Sequence, residues 1–196
     1  MHARLITESI YWVGAIDWDR RLFDDLIPLP DGTTYNAYLV RGAEKTALLD
    51  AVDPAMLDTL LARLSSAGIE KIDYVVSHHT EQDHSGGIPR ILAQYPEAQV
   101  LASDKAKGLL TDHLGLSEDR LRVVQDGETI DLGGLTLEFI YFPWVHWPET
   151  MLTWLPERRV LFTCDLFGSH LATSDVLAHG DPRILPAAKR YYAEIM

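Results

Sequence analysis

The stretch VVSHHTEQDHSGG, residues 75–87, crowds ligand-type side chains into a short space directly after an apolar run. Five imidazole or carboxylate groups fall within seven positions: His78, His79, Glu81, Asp83 and His84. Iron, manganese and zinc all accept such donors, and burying the cluster with no metal or other partner is costly. The stretch therefore predicts a metal site at the end of a buried strand. The alternative is a solvated loop in which Asp83 or Ser85 caps the next helix.

The direction of each side chain depends on the backbone of this loop. In an extended segment alternate residues share a side, so His79, Glu81 and Asp83 are expected to converge on one point. His84 would then point elsewhere and serve a second centre, and His78 would face away from His79.

Two later residues are further candidates. His146 lies in FPWVHWPETM after a predicted strand, and Asp165 ends the strand-like run RVLFTCD. The alternatives are a histidine packed among aromatic residues and a turn or cap residue. Asp50, at the end of TALLD, either orients a ligand histidine or terminates a strand. Cys164 is expected to face away from Asp165 as a plain buried thiol.

Composition limits the classes of protein that fit. The chain has 196 residues, of which 47% are hydrophobic and 23% charged, which is typical of one globular domain. A formal net charge of −12 argues against a nucleic-acid backbone or an anionic membrane as a partner. No run approaches the roughly 20 apolar residues of a membrane span. A single cysteine fits a reducing compartment, so the cytoplasm is the expected location.

Hydrophobic periodicity gives an order of elements. Strands are predicted at 9–16, 34–40, 46–50, 72–77, 98–102, 121–124, 128–131, 135–142, 150–155 and 158–165, with 34–40 and 46–50 as antiparallel neighbours. Helices are predicted from Asp53-Pro54 to Gly68, at 87–94, at 104–114 and from Pro186 onward. Strands, then helices, then strands again predict an α/β sandwich with loops at the sheet edge. The last helix carries Tyr191, Tyr192 and Ile195 at helical spacing, and we expect that apolar face to lack a partner.

The pattern H-x-E-x-D-H at 79–84, followed by His146 and Asp165, resembles the metallo-β-lactamase-fold domain of flavodiiron proteins. Four further stretches carry the resemblance: YWVGAIDWD (11–19), GTTYNAYLV (32–40), DHSGGIP (83–89) and HWPETM (146–151). It implies a metallo-β-lactamase-like αββα sandwich over residues 1–196, incomplete at its C-terminus. The family's sixth ligand, a downstream histidine, and its FMN-binding flavodoxin-like domain are expected beyond this chain. His170 and His179 lie too close to Asp165 to replace that histidine.

The resemblance also implies roles for six residues in a non-haem diiron centre. His79, Glu81 and His146 would hold one iron, Asp83 and His84 the other, and Asp165 would bridge the two. Hydrolytic relatives of this fold typically carry histidine where this chain has Glu81. The extra carboxylate favours a redox-active iron pair, because it offsets the higher charge of the oxidised ions. Zinc has no redox chemistry and does not need that charge.

The function implied is reduction of O2 to water, of NO to N2O, or both, with electrons delivered through FMN. The FMN would lie in the missing domain or in the partner subunit of a head-to-tail homodimer. A rubredoxin-like or NADH-linked donor would supply the electrons, and the 196-residue chain alone is expected to be inactive. Two alternatives stay open: a binuclear zinc metallohydrolase of the same fold, and a non-catalytic module with an incomplete metal site.

Overall fold

Two β-sheets packed face to face form the frame of the molecule, which a computed structural model describes over residues 1–196. The strands are β1 (Arg4–Thr7), β2 (Ile10–Trp12), β3 (Ala15–Asp17), β4 (Leu22–Phe23), β5 (Ile27–Pro28), β6 (Thr33–Tyr35), β7 (Tyr38–Arg41), β8 (Thr46–Leu49), β9 (Tyr74–Val76), β10 (Gln99–Ala102), β11 (Leu121–Val123), β12 (Thr129–Asp131), β13 (Thr136–Tyr141), β14 (Met151–Leu155) and β15 (Val160–Phe162). One sheet has seven strands in the order β1-β2-β7-β8-β9-β10-β11, and the other has four in the order β12-β13-β14-β15. Two small pairs, β3 with β6 and β4 with β5, complete the β-structure.

Five α-helices connect the strands. They are α1 (Leu57–Ser66), α2 (Gln82–Ser85), α3 (Ile88–Gln94), α4 (Asp104–Leu114) and α5 (Ile184–Glu194). Short 3-10 turns at Pro54–Met56 and Glu118–Arg120 precede α1 and β11. None of these helices has the length and apolar character needed to cross a membrane.

The seven-stranded sheet changes from antiparallel to parallel pairing at β8. β7 and β8 form the predicted antiparallel pair, and β8, β9, β10 and β11 then run parallel. Parallel neighbours need crossover connections, which α1, α3 and α4 provide. The carboxyl ends of β8 and β9 therefore meet at one edge of the sheet. Asp50 follows β8 there, and the ligand-rich loop follows β9.

Strand residues alternate between two hydrophobic cores, one on each face of the large sheet. Leu48 and Val75 face the core shared with the helices, where they join Leu60. Their neighbours Leu49 and Val76 face the core between the two sheets. Leu48, Leu49, Val75 and Val76 are all fully buried. Both faces of these central strands are thus covered, as in other parallel sheets.

The structure differs from the sequence predictions at residues 9–16 and in the loop after β9. Residues 9–16 form two strands, β2 and β3, which pair with different neighbours, β7 and β6. Gly14 lies between them, so close to the Tyr35 carbonyl oxygen that a Cβ atom there would clash with it. The loop after β9 is not extended throughout. Residues Gln82–Ser85 form a helical turn in which the Glu81 carbonyl accepts hydrogen bonds from two N–H groups, those of His84 and Ser85.

The final helix starts at Ile184, two residues before the predicted Pro186. Its predicted apolar face is only partly correct. The ring of Tyr191 is buried and packs against His170 with 5.1 Å between ring centroids, whereas Tyr192 is 40% exposed.

Candidate metal centre

Four of the predicted site residues converge on a single point. Ligand atoms of His79, Glu81, His146 and Asp165 all lie within 4.8 Å of one another. Glu81 Oε2 is 3.2 Å from the Nε2 atoms of both His79 and His146. Asp165 Oδ2 lies 3.7 Å from His79 Nε2 and 3.5 Å from His146 Nε2. Two imidazoles and two carboxylates thus face the same small volume.

The other two predicted residues lie on the opposite side of Asp165. His84 Nε2 is 3.1 Å from Asp165 Oδ1 and 3.6 Å from Asp83 Oδ2. Asp165 therefore presents one carboxylate oxygen to His79 and His146 and the other to His84. The predicted alternation placed Asp83 with His79 and Glu81. The helical turn at Gln82–Ser85 instead places Asp83 beside His84, on the other side of Asp165.

The convergent residues come from both sheets. His79 and Glu81 follow β9 of the seven-stranded sheet. His146 lies between β13 and β14 of the four-stranded sheet, and Asp165 follows β15. The site is therefore located where the edges of the two sheets meet.

Buried carboxylate oxygens at this site have no hydrogen-bond donor. Asp83 Oδ1 and Asp165 Oδ2 are both buried and unpartnered. A buried anionic oxygen without a donor is costly, whereas a cation would satisfy it. These orphan oxygens and the imidazole–carboxylate donor set fit a pair of first-row divalent metal ions.

The electrostatics of the cluster agree with that fit. Burial raises the pKa of Asp83 to about 6, with Asp165 and Glu81 adding to the rise. Burial opposes protonation of His146, but Asp165 and Glu81 outweigh it and raise its pKa to about 9. Burial also disfavours the charged form of Asp165, yet His84 and His146 hold its pKa well below the ordinary value. The carboxylates Asp165 and Glu81 thus stabilise a positive charge on His146, and they would stabilise a bound cation in the same way.

Glu149 is a site residue that the sequence reasoning missed. Its Oε1 atom accepts three hydrogen bonds, from His79 Nδ1 at 2.7 Å, Thr80 N at 3.0 Å and Thr80 Oγ1 at 2.6 Å. Burial raises the pKa of Glu149, but these bonds outweigh it and lower the pKa to about 2. Because His79 donates from Nδ1, its Nε2 lone pair faces Glu81 and Asp165. The only signal in the sequence was the short spacing from His146 within HWPETM.

Asp50 and His78 form a buried pair beside the cluster. His78 donates from its backbone N–H to Asp50 Oδ1 and from Nδ1 to Asp50 Oδ2, both at 2.8 Å. Thr153 Oγ1 lies 2.7 Å from His78 Nε2 and donates to it. His78 thus faces Asp50 and Thr153 and not the cluster of His79, Glu81, His146 and Asp165, as expected. Asp50 orients this histidine directly and lies 3.8 Å from Nδ1 of the predicted ligand His84.

Cys164 contradicts its prediction. Its Sγ atom lies 3.5 Å from His84 Nδ1 instead of facing away from the site. The residue has a φ of 49°, in the left-handed region, and this breaks the alternation of side chains on which the prediction depended.

Neither His170 nor His179, the two histidines that follow Asp165, joins the cluster. His170 lies with Nδ1 3.0 Å from Thr33 Oγ1 and packs against Phe23, while His179 is exposed. Asp24 was not predicted but reaches Glu81, and burial together with that neighbour raises the pKa of Asp24 to about 6.

A cavity of about 330 Å³ adjoins the cluster. Its lining includes Glu81, Asp83, His84 and Asp165 together with apolar residues such as Tyr38 and Phe162. Small molecules can therefore approach the cluster within the protein.

Comparisons with known proteins agree with the motif. The family model described as ODP family beta lactamase matches residues 33–196. Coenzyme F420H(2) oxidase of Methanothermobacter marburgensis is 39% identical over 201 residues, covering 99% of this chain and 49% of that protein. Nitric oxide reductase of Moorella thermoacetica is 40% identical over 197 residues, covering 97% of this chain and 49% of that protein.

Solved structures include a close match. The crystal structure of the flavodiiron protein from Giardia intestinalis superposes with a TM-score of 0.94 at 30% identity, covering 100% of this chain and 48% of that one. The chain spans about half the length of the relatives that it matches.

Proposed function

This chain belongs to the ODP family of metallo-β-lactamase-like domains, and from that premise we propose that it is the diiron domain of a flavodiiron oxidoreductase. The substrate class is O2, NO or both, as the names of the F420H(2) oxidase and nitric oxide reductase relatives suggest. The observation that carries the proposal is the double-sided contact of Asp165, with His79 and His146 facing Oδ2 and His84 facing Oδ1.

The six convergent residues divide into two sets of ligands. His79, Glu81 and His146 would hold one metal, Asp83 and His84 the other, and Asp165 would be shared. That division is supported by the contacts of Asp165, because its Oδ2 atom faces His79 whereas its Oδ1 atom faces His84. The unpartnered Asp83 and Asp165 oxygens support a cation on each side.

Charge favours iron over zinc at this site. Glu81, Asp83 and Asp165 together supply three carboxylates. An iron pair would supply the electrons that reduce O2 or NO, and its oxidised form carries more positive charge for these carboxylates to balance. A zinc pair gains less from the third carboxylate, because its charge does not change.

The protein residues around the ligands keep the site in one geometry. Glu149 fixes the tautomer and orientation of His79 through the 2.7 Å bond to Nδ1. His79 is fully buried, so water does not compete for that bond. Apolar residues such as Tyr38 and Phe162 also line the cavity beside His84.

Electrons must arrive from outside this domain, because no residue of the site supplies several of them. We propose FMN as the immediate donor, held in another domain or in the partner subunit of a head-to-tail homodimer. A rubredoxin-like or NADH-linked protein would reduce the flavin. We propose this arrangement for a protein as long as the relatives, which are about twice the length of the part that this chain matches.

Elemental analysis of anaerobically purified protein tests the metal assignment. We expect iron close to two per chain, with little zinc. Stoichiometric zinc without iron would support the binuclear metallohydrolase instead. If the protein binds neither iron nor zinc, even when either metal is added in excess, the non-catalytic module is supported.

Turnover tests the reaction. The gene product that carries this sequence is supplied with FMN and a reduced donor, and consumption of O2 and NO is followed in separate experiments. We expect donor-dependent consumption of at least one gas. A matched Glu81→His variant, which restores the ligand typical of hydrolytic relatives, should lose most of that consumption, and equal rates in the two proteins would contradict the proposed role of Glu81.

A further inference from the structure

A second group of ligand-type atoms lies on the side of His84 that faces away from Asp165. Cys164 Sγ is 3.5 Å and Asp50 Oδ2 is 3.8 Å from His84 Nδ1. The three ligand atoms all lie within 4.8 Å of one another. We propose that Asp50, His84 and Cys164 form a further site, which shares His84 with the metal pair, for one thiophilic divalent metal such as zinc; the inference does not rest on the proposed function.

The spacing of the three atoms suits tetrahedral coordination. Bond lengths of about 2.3 Å to sulfur and about 2.0 Å to nitrogen place the two ligand atoms about 3.5 Å apart at a tetrahedral angle. The Cys164 Sγ to His84 Nδ1 distance is 3.5 Å. The corresponding nitrogen–oxygen separation is about 3.4 Å, so Asp50 at 3.8 Å would shift by a few tenths of an ångström.

Asp50 is held in position for such a role. Its carboxylate accepts two hydrogen bonds from His78, and His78 is in turn bonded to Thr153. Each carboxylate oxygen has two lone pairs, so Oδ2 can accept from His78 and still bind a cation. Carboxylates that bind metals are usually hydrogen-bonded in this way, and His78 is the residue that supports Asp50.

The charge of the three ligands also fits a divalent ion. A thiolate and a carboxylate balance the two charges of the ion, and the imidazole is neutral. The thiol proton leaves to solvent when the metal binds. The fourth position opens on the cavity of about 330 Å³ that Asp50, His84 and Cys164 line, so a water molecule or small ligand can complete the coordination.

His84 links this site to the metal pair. A neutral imidazole has one lone pair, so either Nδ1 or Nε2 binds a metal while the other carries hydrogen. A metal at Nδ1 leaves Nε2–H to donate to Asp165 Oδ1, 3.1 Å away. Filling the thiolate site therefore removes His84 from the ligands of the pair.

Cobalt titration tests the site, because Cys164 is the single cysteine of the chain and the metal pair has no sulfur ligand. We expect one equivalent of Co²⁺ to give thiolate-to-cobalt charge-transfer absorption in the near ultraviolet. The band should be absent in Cys164→Ser. Asp50→Asn should weaken the cobalt affinity read from this band at least tenfold, and Asp112→Asn, an exposed change of the same kind, should leave it unchanged.

Folding of each variant is checked by circular dichroism. If Asp50→Asn does not fold, His84→Gln replaces it, with the same tenfold weakening expected. The absence of the band at saturating cobalt would overturn the proposal. An unchanged cobalt affinity in the folded Asp50 or His84 variant would also overturn it, because the thiol would then bind cobalt without these residues. The cobalt band reports Cys164 and the iron content reports the metal pair, so failure of this proposal can be told apart from failure of the proposed function.

Discussion

At the scale of single residues, one buried oxygen of Glu149 organises the start of the ligand loop. It accepts from the ring of His79 and from both the backbone and the hydroxyl of Thr80. Its partner oxygen Oε2 is buried without a donor. A carboxylate in this position both orients the imidazole and raises its basicity toward a metal.

Glu149→Gln should weaken metal binding by about 10- to 100-fold, because it removes the charge that polarises His79 while keeping the size of the side chain. Metal affinity is measured by competition with a chelator of known affinity. Glu97→Gln, an exposed change of the same chemistry, is the control and should leave the affinity unaltered. Equal affinities in the two variants would show that the bond to His79 does not matter for the metal.

Asp165→Asn should empty at least one metal position, because it removes the single negative charge that faces histidines on both sides. Metal content per chain is the measurement, and Asp112→Asn is again the matched control. If both metal positions are fully occupied in the Asp165 variant, Asp165 is not a metal ligand and only ends a strand.

The sequence pointed to some residues of the site and not to others, for a physical reason. The crowded donors after β9, with His146 and Asp165, stood out because such side chains are rarely buried without a purpose. Glu149 did not stand out, because its contact with His79 spans 70 positions. Cys164 was assigned to the wrong side, because its left-handed backbone is invisible in the residue pattern.

At the scale of elements, Ser103 connects helix α4 to the site. Its hydroxyl accepts from Ala106 N–H at 3.3 Å as the helix N-cap and donates to the Glu149 carbonyl oxygen at 2.7 Å. The residue is 2% exposed, so both bonds are protected from water. One side chain thus caps a helix and fixes the backbone of a residue that holds His79.

Ser103→Ala should lower the free energy of unfolding by about 1–3 kcal/mol, from the lost cap and the unpaired buried carbonyl. Denaturant unfolding of the metal-free protein measures it. Ser117→Ala is the control, because Ser117 precedes a 3-10 turn without a side-chain cap bond and should change stability by less than about 0.5 kcal/mol. Equal losses in the two variants would contradict the role of Ser103.

Long periodic elements were predictable and short ones were not. Helix α4 was predicted with the bounds that the structure has, 104–114, because Ser103 caps it and Gly115 ends it in the left-handed conformation. The pair β4 and β5 was missed, since strands of two residues leave no periodic pattern. The helical turn at Gln82–Ser85 was missed for the same reason.

At the scale of the whole molecule, the cluster of His79, Glu81, His146 and Asp165 joins the two sheets. The α/β fold was predictable from the order of strands and helices, and the metallo-β-lactamase-like topology from the resemblance. Which loops meet was not predictable from periodicity, because that depends on how the seven-stranded and four-stranded sheets pack. The resemblance supplied His146 and Asp165 as partners of the first loop.

Metal binding should stabilise the folded molecule as a unit, since only the folded state brings ligands of both sheets together. At a free metal concentration about 1,000 times the dissociation constant, the gain is about 4 kcal/mol. Thermal unfolding with iron and after chelation measures it, under anaerobic conditions. The Asp165→Asn variant should show a much smaller difference, and an identical shift in both proteins would indicate binding elsewhere.

The union of two sheets at one centre also has a consequence for the order of folding. The contacts that close it, His79 with Glu149 and His84 with Asp165, span 70 and 81 positions of the chain. Contacts of such long range form only after the entropy of closing a large loop has been overcome. The centre is then among the last parts to assemble, so substitutions within it should mainly speed the unfolding reaction and leave the refolding rate nearly constant.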